Sequence, residues 1–98
     1  MHGAFNLTQH LEITNQSNRG RRAFAARLNA TLKRAHLTSG RLAKALRVAE
    51  NVVDYWRRGI LLPSSGDCRR LCDILRLDVV WLCAGATHQA ASDASRLS

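Results

Sequence analysis

Apolar positions recur at helical intervals over most of this chain. Phe24, Leu28, Leu32 and Ala35 follow one another at spacings of four, four and three, which places them on one face of a helix over residues 22–35. Leu42, Ala43 and Leu46 predict an inward face for a second helix over residues 39–46, which Thr38 or Ser39 can cap through a hydroxyl. Val53 and Trp56 do the same for a third helix over residues 50–58. Between these two lies the turn Arg47-Val48-Ala49, with Val48 expected as its buried plug. Gly59 can take the left-handed conformation that closes a helix, and residues 60–63 follow as a loop ending in proline. Cys68, Leu71, Cys72 and Leu75 mark a fourth helix running from Ser64 or Ser65 to about Arg76, with Asp67 in its first turn and Arg76 in its last, each favourable to the helix dipole. A short fifth helix is expected over residues 79–83, ending at Gly85.

The ends read differently. Phe5, Leu7, Leu11 and Ile13 fall on odd positions with Gln9 as the gap, a strand-like period, while Leu7 and Leu11 also form a helical i, i+4 pair. Both readings stay open, and residues 1–21 are expected as a flexible extension ending in a basic arm after the linker NQSNRGRR. The tail ATHQAASDASRLS, residues 86–98, is small and polar and is expected to be disordered. The expected fold is all-α, with five helices around one core over residues 22–85.

Charge sharpens this picture. The formal net charge is +8, and its distribution matters more than its sum. Residues 19–58 hold eleven of the fifteen cations and only two acids, Glu50 and Asp54, whereas residues 59–98 balance four against four. A basic block that coincides with two short helices and the segment leading into them points to a polyanionic partner. Two short helices, a tight turn, a tryptophan-anchored second helix, then glycine and proline form the layout of a helix-turn-helix, whose second helix enters the DNA major groove.

The stretch LAKALRVAENVVDYWRRGILLP, followed by the fourth helix and DVVWLCAG, resembles the XRE family of lambda-repressor-like and Cro-like DNA-binding domains. Leu42, Ala43, Leu46, Val48, Val53, Trp56, Gly59 and Pro63 fall at the family spacing, and the resemblance covers about residues 23–85. It implies a small transcriptional regulator, a repressor of phage or bacterial type, acting in the bacterial cytoplasm or nucleoid on double-stranded DNA, usually as a homodimer. The chain departs from the family in three places. Arg47 stands where the turn usually has Gly or Asn, Ala49 where Ser or Thr usually caps the recognition helix, and Leu32 and Arg57 where an Arg–Glu pair is common.

On a helix over residues 50–58 the outward set is Glu50, Asn51, Asp54, Tyr55 and Arg58, with Val52 on the border. The resemblance puts Glu50, Asn51 and Tyr55 where the family reads base edges. The chemistry fits: Asn can bond adenine bidentately, Glu can accept from cytosine, and Val can pack on a thymine methyl. Glu50, Asn51, Val52, Asp54 and Tyr55 are therefore the expected base contacts, against the plainer reading of a solvated helix face. Expected backbone contacts are Ser39, Gly40 and Arg41 at the opening of the second helix, Arg58, and the arm residues Arg19, Arg21 and Arg22. Glu50 and Asp54, one turn apart, repel phosphates, which lowers non-specific affinity; alternatively Glu50 only favours the positive end of its own helix.

Other chemistries find less support. Cys68 and Cys72 lie four apart, but the histidines show no ligand spacing, so the cysteines are expected in the core and no metal or cofactor is expected. No phosphate-cradling loop, carboxylate pair or nucleophile–base arrangement stands out, and the chain is read as a non-enzyme. Five aromatics offer little for stacking on single strands. No secretory pattern and no apolar run of about 20 residues is present, so a reducing cytoplasm and no membrane are expected. The alternatives are a protein-interaction module on the same fold, such as an antitoxin, and a non-specific DNA binder. For dimerisation, Trp81 and Leu82 or the segment Phe5 to Ile13 are the expected contacts.

Overall fold

The computed structural model describes residues 6–85. Over these residues the chain is all-helical, with six helices: α1 (Leu7–Asn15), α2 (Asn18–Ala35), α3 (Ser39–Leu46), α4 (Glu50–Arg58), α5 (Ser65–Leu75) and α6 (Val79–Ala84). The expected count of five is corrected by α1. Its start is set by Asn6, whose side chain accepts from the Gln9 amide at 2.9 Å. Leu7 and Leu11, one turn apart, are buried, whereas Ile13 is 63% exposed. The i, i+4 pair therefore decides the conformation, and the odd-position alternation carries no strand. Phe5 and the expected tail lie outside the described residues.

The expected linker is also largely helix. Only Gln16 and Ser17 separate α1 from α2, and Ser17 caps α2 by accepting from the Gly20 amide at 3.0 Å. Arg19, Arg21 and Arg22 thus sit in the opening turns of α2 rather than on an extended arm. Cations at a helix N-terminus oppose its dipole. The Ser17 cap and the packing of α2 against α1, α4 and α6 outweigh the penalty.

α2 is the central element and buries Phe24, Ala25, Leu28, Thr31 and Leu32; Ala35, expected on the same stripe, is exposed. α3 and α4 have the expected bounds. Thr38 caps α3 through the Arg41 amide at 3.2 Å. α3 ends at Arg47, left-handed at φ 60°, a conformation that costs a residue other than glycine about 1 kcal/mol. Val48 follows as the half-buried plug. Ala49 makes no side-chain bond to the first turn of α4, so that helix is anchored by packing: Val53 and Trp56 are almost wholly buried. Gly59 closes α4 at φ 73°, and a Cβ there would lie 3.2 Å from the Arg22 Cα. Both its backbone angle and the passage of α2 demand glycine at this point.

α5 begins at Ser64, which accepts from the Asp67 amide at 3.2 Å, and buries Cys68, Leu71 and Cys72. α6 is capped by Asp78 and ends at Gly85. It closes the bundle over α1, α2 and α5, with Leu82 and Cys83 in the core. Among the described residues no helix is long and apolar enough to cross a membrane.

Candidate nucleic-acid interface

α4 presents its two faces as its pattern requires. Val53 and Trp56 point into the core. Glu50, Asn51, Tyr55 and Arg58 are exposed, while Val52 and Asp54 are half-buried, Val52 packing against the core. The side chains of Glu50, Asn51, Asp54, Tyr55 and Arg58 make no hydrogen bond to other described residues, so their donors and acceptors are unmatched among them. α3 packs directly against α4 and brings the exposed side chains of Arg41 and Lys44 to the same unit. Arg47 adds an exposed cation at the turn between them.

Two of the expected contact residues meet. A Cβ built on Gly40 would lie 3.3 Å from Glu50 Oε1, so the Glu50 carboxylate folds over the first turn of α3. Such a terminus suits an anion, and the Glu50 carboxylate lies beside it without a hydrogen bond among the described residues. Gly40 has no side chain, which leaves the carboxylate its room.

Two expected backbone contacts are turned inward. Ser39 is buried and its hydroxyl accepts from Arg57 Nη1 at 2.8 Å; only its main chain remains at the α3 terminus. Arg21 is half-buried. Its Nε donates to the Gly59 carbonyl at 3.1 Å, and its Nη1 donates to the Asn15 carbonyl. The side chain bridges the ends of α1 and α4 instead of reaching out as part of an arm. Arg19, Arg22, Arg41 and Arg58 remain exposed.

Sequence reasoning missed how many arginines the fold uses for itself. Arg57 donates through Nε to Asn29 Oδ1 at 2.6 Å, and Asn29 Nδ2 donates back to the Arg57 carbonyl at 3.0 Å. With the Ser39 bond, this clamp joins α2, α3 and α4 through neutral partners, where an Arg–Glu pair would be the commoner device. Arg27 donates to the Leu82 carbonyl at 2.8 Å and the Cys83 carbonyl at 3.2 Å, closing the end of α6. Burial lowers the Arg27 pKa, and the neighbouring Cys83 partly opposes that shift. Arg70 donates to the Leu46 carbonyl at the end of α3 and pairs with Asp67 at 3.3 Å. The one available signal was helical position. Arg21 and Arg27 each lie three residues from Phe24 along α2, so they border its apolar stripe. A long side chain there can reach carbonyls that close adjacent helices.

Among the described residues no group of three or more His, Cys, Asp or Glu side chains could hold a metal ion. A surface groove of about 440 Å³ runs between α1 and the loop before α5, lined in part by Thr8, Glu12, Asn15, Leu61 and Pro63. It gathers one carboxylate, Glu12, and the hydroxyls of Thr8, Ser64 and Ser65, with no hydrogen bond between Glu12 and a hydroxyl among the described residues. Comparison with protein-family models, curated proteins and solved structures found no match to this chain.

Proposed function

We propose that this protein is a sequence-specific double-stranded DNA-binding regulator of transcription, a repressor of the XRE, Cro-like type, that lays α4 in the major groove. The observation that carries the reading is the outer face of α4. It is anchored from beneath by Trp56, lined with unmatched polar side chains, and bordered by exposed cations on α3 and the adjoining turn. Asn51 and Glu50 read base edges, with Val52, Asp54 and Tyr55 beside them. Arg41, Arg58, Arg19 and Arg22 neutralise phosphates, together with main-chain amides at Ser39 and Gly40. Four such cations per protomer, eight in a dimer, give a slope of log K against log salt of about −7.

Glu50 has two positions in this mechanism. In the free protein its carboxylate lies beside the α3 terminus at Gly40. A phosphate approaching that terminus displaces it toward the groove, where it accepts from cytosine on the right sequence and repels the backbone on the wrong one. Glu50→Gln accordingly binds random duplex a few-fold more tightly than the parent, read by anisotropy titration at fixed salt; equal affinities would remove this role.

The reading includes a homodimer acting in the cytoplasm on two half-sites about 34 Å apart. Leu82 is withdrawn as a dimer contact because it is fully buried. Exposed Ile13 and half-buried Trp81 remain. Deleting α1 would strip Leu7 and Leu11 from the core, so Ile13→Glu, followed by light scattering, is the cleaner test.

The deciding experiment is selection from a random duplex library at near-physiological salt. An enriched motif, above all an inverted repeat, establishes the reading, and a flat result from folded protein overturns it. A second reading draws on Ile60 and Leu61, which are apolar yet 54% and 36% exposed in the loop after α4. They fit a protein partner, as in an antitoxin, and a flat selection would point there.

A further inference from the structure

Three thiols converge where α5 meets α6. Cys68, Cys72 and Cys83 are all free and all buried. Cys72 lies one turn further along α5 than Cys68. The close approach is between helices: Cys68 Sγ lies 2.6 Å from Cys83 Sγ. The two thiols are within hydrogen-bonding reach of each other, well inside ordinary non-bonded contacts of about 3.5–4 Å. A disulfide needs only a further closure to about 2.05 Å.

The surroundings hold both partners in place. Cys83 is fixed through its own carbonyl, which accepts from Arg27 Nη2 at 3.2 Å and from His10 Nε2 at 3.1 Å. The Cys68 amide donates to the Ser64 carbonyl at 2.8 Å in the capped start of α5. Neither sulfur must be carried across the structure to reach the other. We propose that Cys68 and Cys83 form a disulfide-forming site, a covalent latch that ties α6 to α5 when the chain meets a peroxide-class oxidant. This site is separate from the outer face of α4 and does not depend on the DNA-binding reading.

The chemistry balances. One thiol gives up its proton and its sulfur attacks a peroxide oxygen; the O–O bond breaks, and the leaving hydroxide takes up that proton as water, leaving a sulfenic acid on the first sulfur. The second sulfur attacks that sulfenic sulfur, the S–O bond breaks, and a second water leaves. Two thiols and one hydrogen peroxide become one disulfide and two waters. The resting pair is slow to react. The neighbouring Cys72 lowers the Cys68 pKa, but the contact with Cys83 and burial outweigh it and push the Cys68 thiol up to about 12. Oxidation therefore follows brief local opening of the six-residue α6. Cys72 shares a helix with Cys68, so a bond between those two would fasten no second element. The Cys68–Cys83 bond closes a loop of about 15 residues and restrains the unfolded chain.

The test uses the full chain, treated with hydrogen peroxide and compared with a dithiothreitol-reduced sample. The three cysteines fall in three different tryptic peptides, because Arg69, Arg70 and Arg76 separate them. Mass spectrometry therefore reads the pairing directly. The expected result is a loss of two hydrogens from the intact chain, residues 59–69 linked to residues 77–96, and a Tm raised by on the order of 10 °C. Cys72→Ala retains the link, and Cys83→Ala abolishes it. No link, a link through Cys72, or a Cys68–Cys83 link that leaves Tm unchanged or lower would each overturn the proposal. Mass and Tm are read without DNA, so failure here is distinct from failure of the proposed function.

Discussion

The α3–α4 unit and the end of the molecule where α1 meets α6 treat their polar side chains in opposite ways. On the outer face of α4, Glu50, Asn51, Tyr55 and Arg58 stand exposed with no partner among the described residues. Where α1 meets α6, the Cys83 carbonyl accepts from both His10 and Arg27, Arg27 also reaches the Leu82 carbonyl, and Thr14 is bonded to the His10 ring. A polar group matched inside the fold is costly to remove. One left unmatched costs the fold little and is available to a partner. Substitutions at the first region should change binding and spare folding, and substitutions at the second should do the reverse.

The comparison breaks most severely from beneath. Trp56 anchors α4 and is 1% exposed. Trp56→Ala is expected to lose about 3–5 kcal/mol of stability, read by thermal unfolding, and with it any binding by α4. A variant that unfolds at the parent temperature would mean the outer face does not depend on this anchor. Next in size is Arg27→Ala, which removes the side-chain donor to the Leu82 carbonyl and one of two donors to the Cys83 carbonyl. A loss of about 1–3 kcal/mol is expected in urea denaturation, with DNA affinity at low temperature unchanged.

Asn51→Ala is the opposite case. Its stability should stay within about 0.5 kcal/mol of the parent, while affinity for the selected duplex falls by about 1–3 kcal/mol. Weakening on every sequence alike would instead make Asn51 a backbone contact. The smallest effect is at Ala49, where α4 lacks a side-chain cap. Ala49→Ser should add about 0.5–1 kcal/mol in denaturant titration. No gain would show that the first-turn amides of α4 are already satisfied.

The helices from α3 to α6 were legible because their signals are local. Apolar spacing named the inward residues Leu42, Leu46, Val53, Trp56, Cys68 and Leu71, and Gly59 marked the stop; all of these hold in the structure. The N-terminal region was less legible because two local signals conflicted there. Odd-position apolar residues suggested a strand beside the helical Leu7–Leu11 pair, and NQSNRGRR read as a linker turning basic at its end. Burial of Leu7 and Leu11 against other helices resolved the first, and the Ser17 cap with the packing of α2 resolved the second.

The candidate site divides along the same line. Which residues of α4 face outward follows from periodicity, since a helix anchored by Val53 and Trp56 has one orientation open to it. Which cations remain free could not follow from periodicity. Arg21 and Ser39 were expected at the backbone contacts, yet Arg21 bonds Gly59 across 38 positions and Ser39 bonds Arg57 across 18. The approach of Cys68 to Cys83 is of the same kind. From α3 to α6 the chain alone determined where its helices run and which faces they bury, because a helix is closed by bonds between residues three or four apart. Tertiary structure alone decided which carbonyl each arginine closes and which thiols meet, because those partners are distant in sequence and become neighbours only when the helices pack.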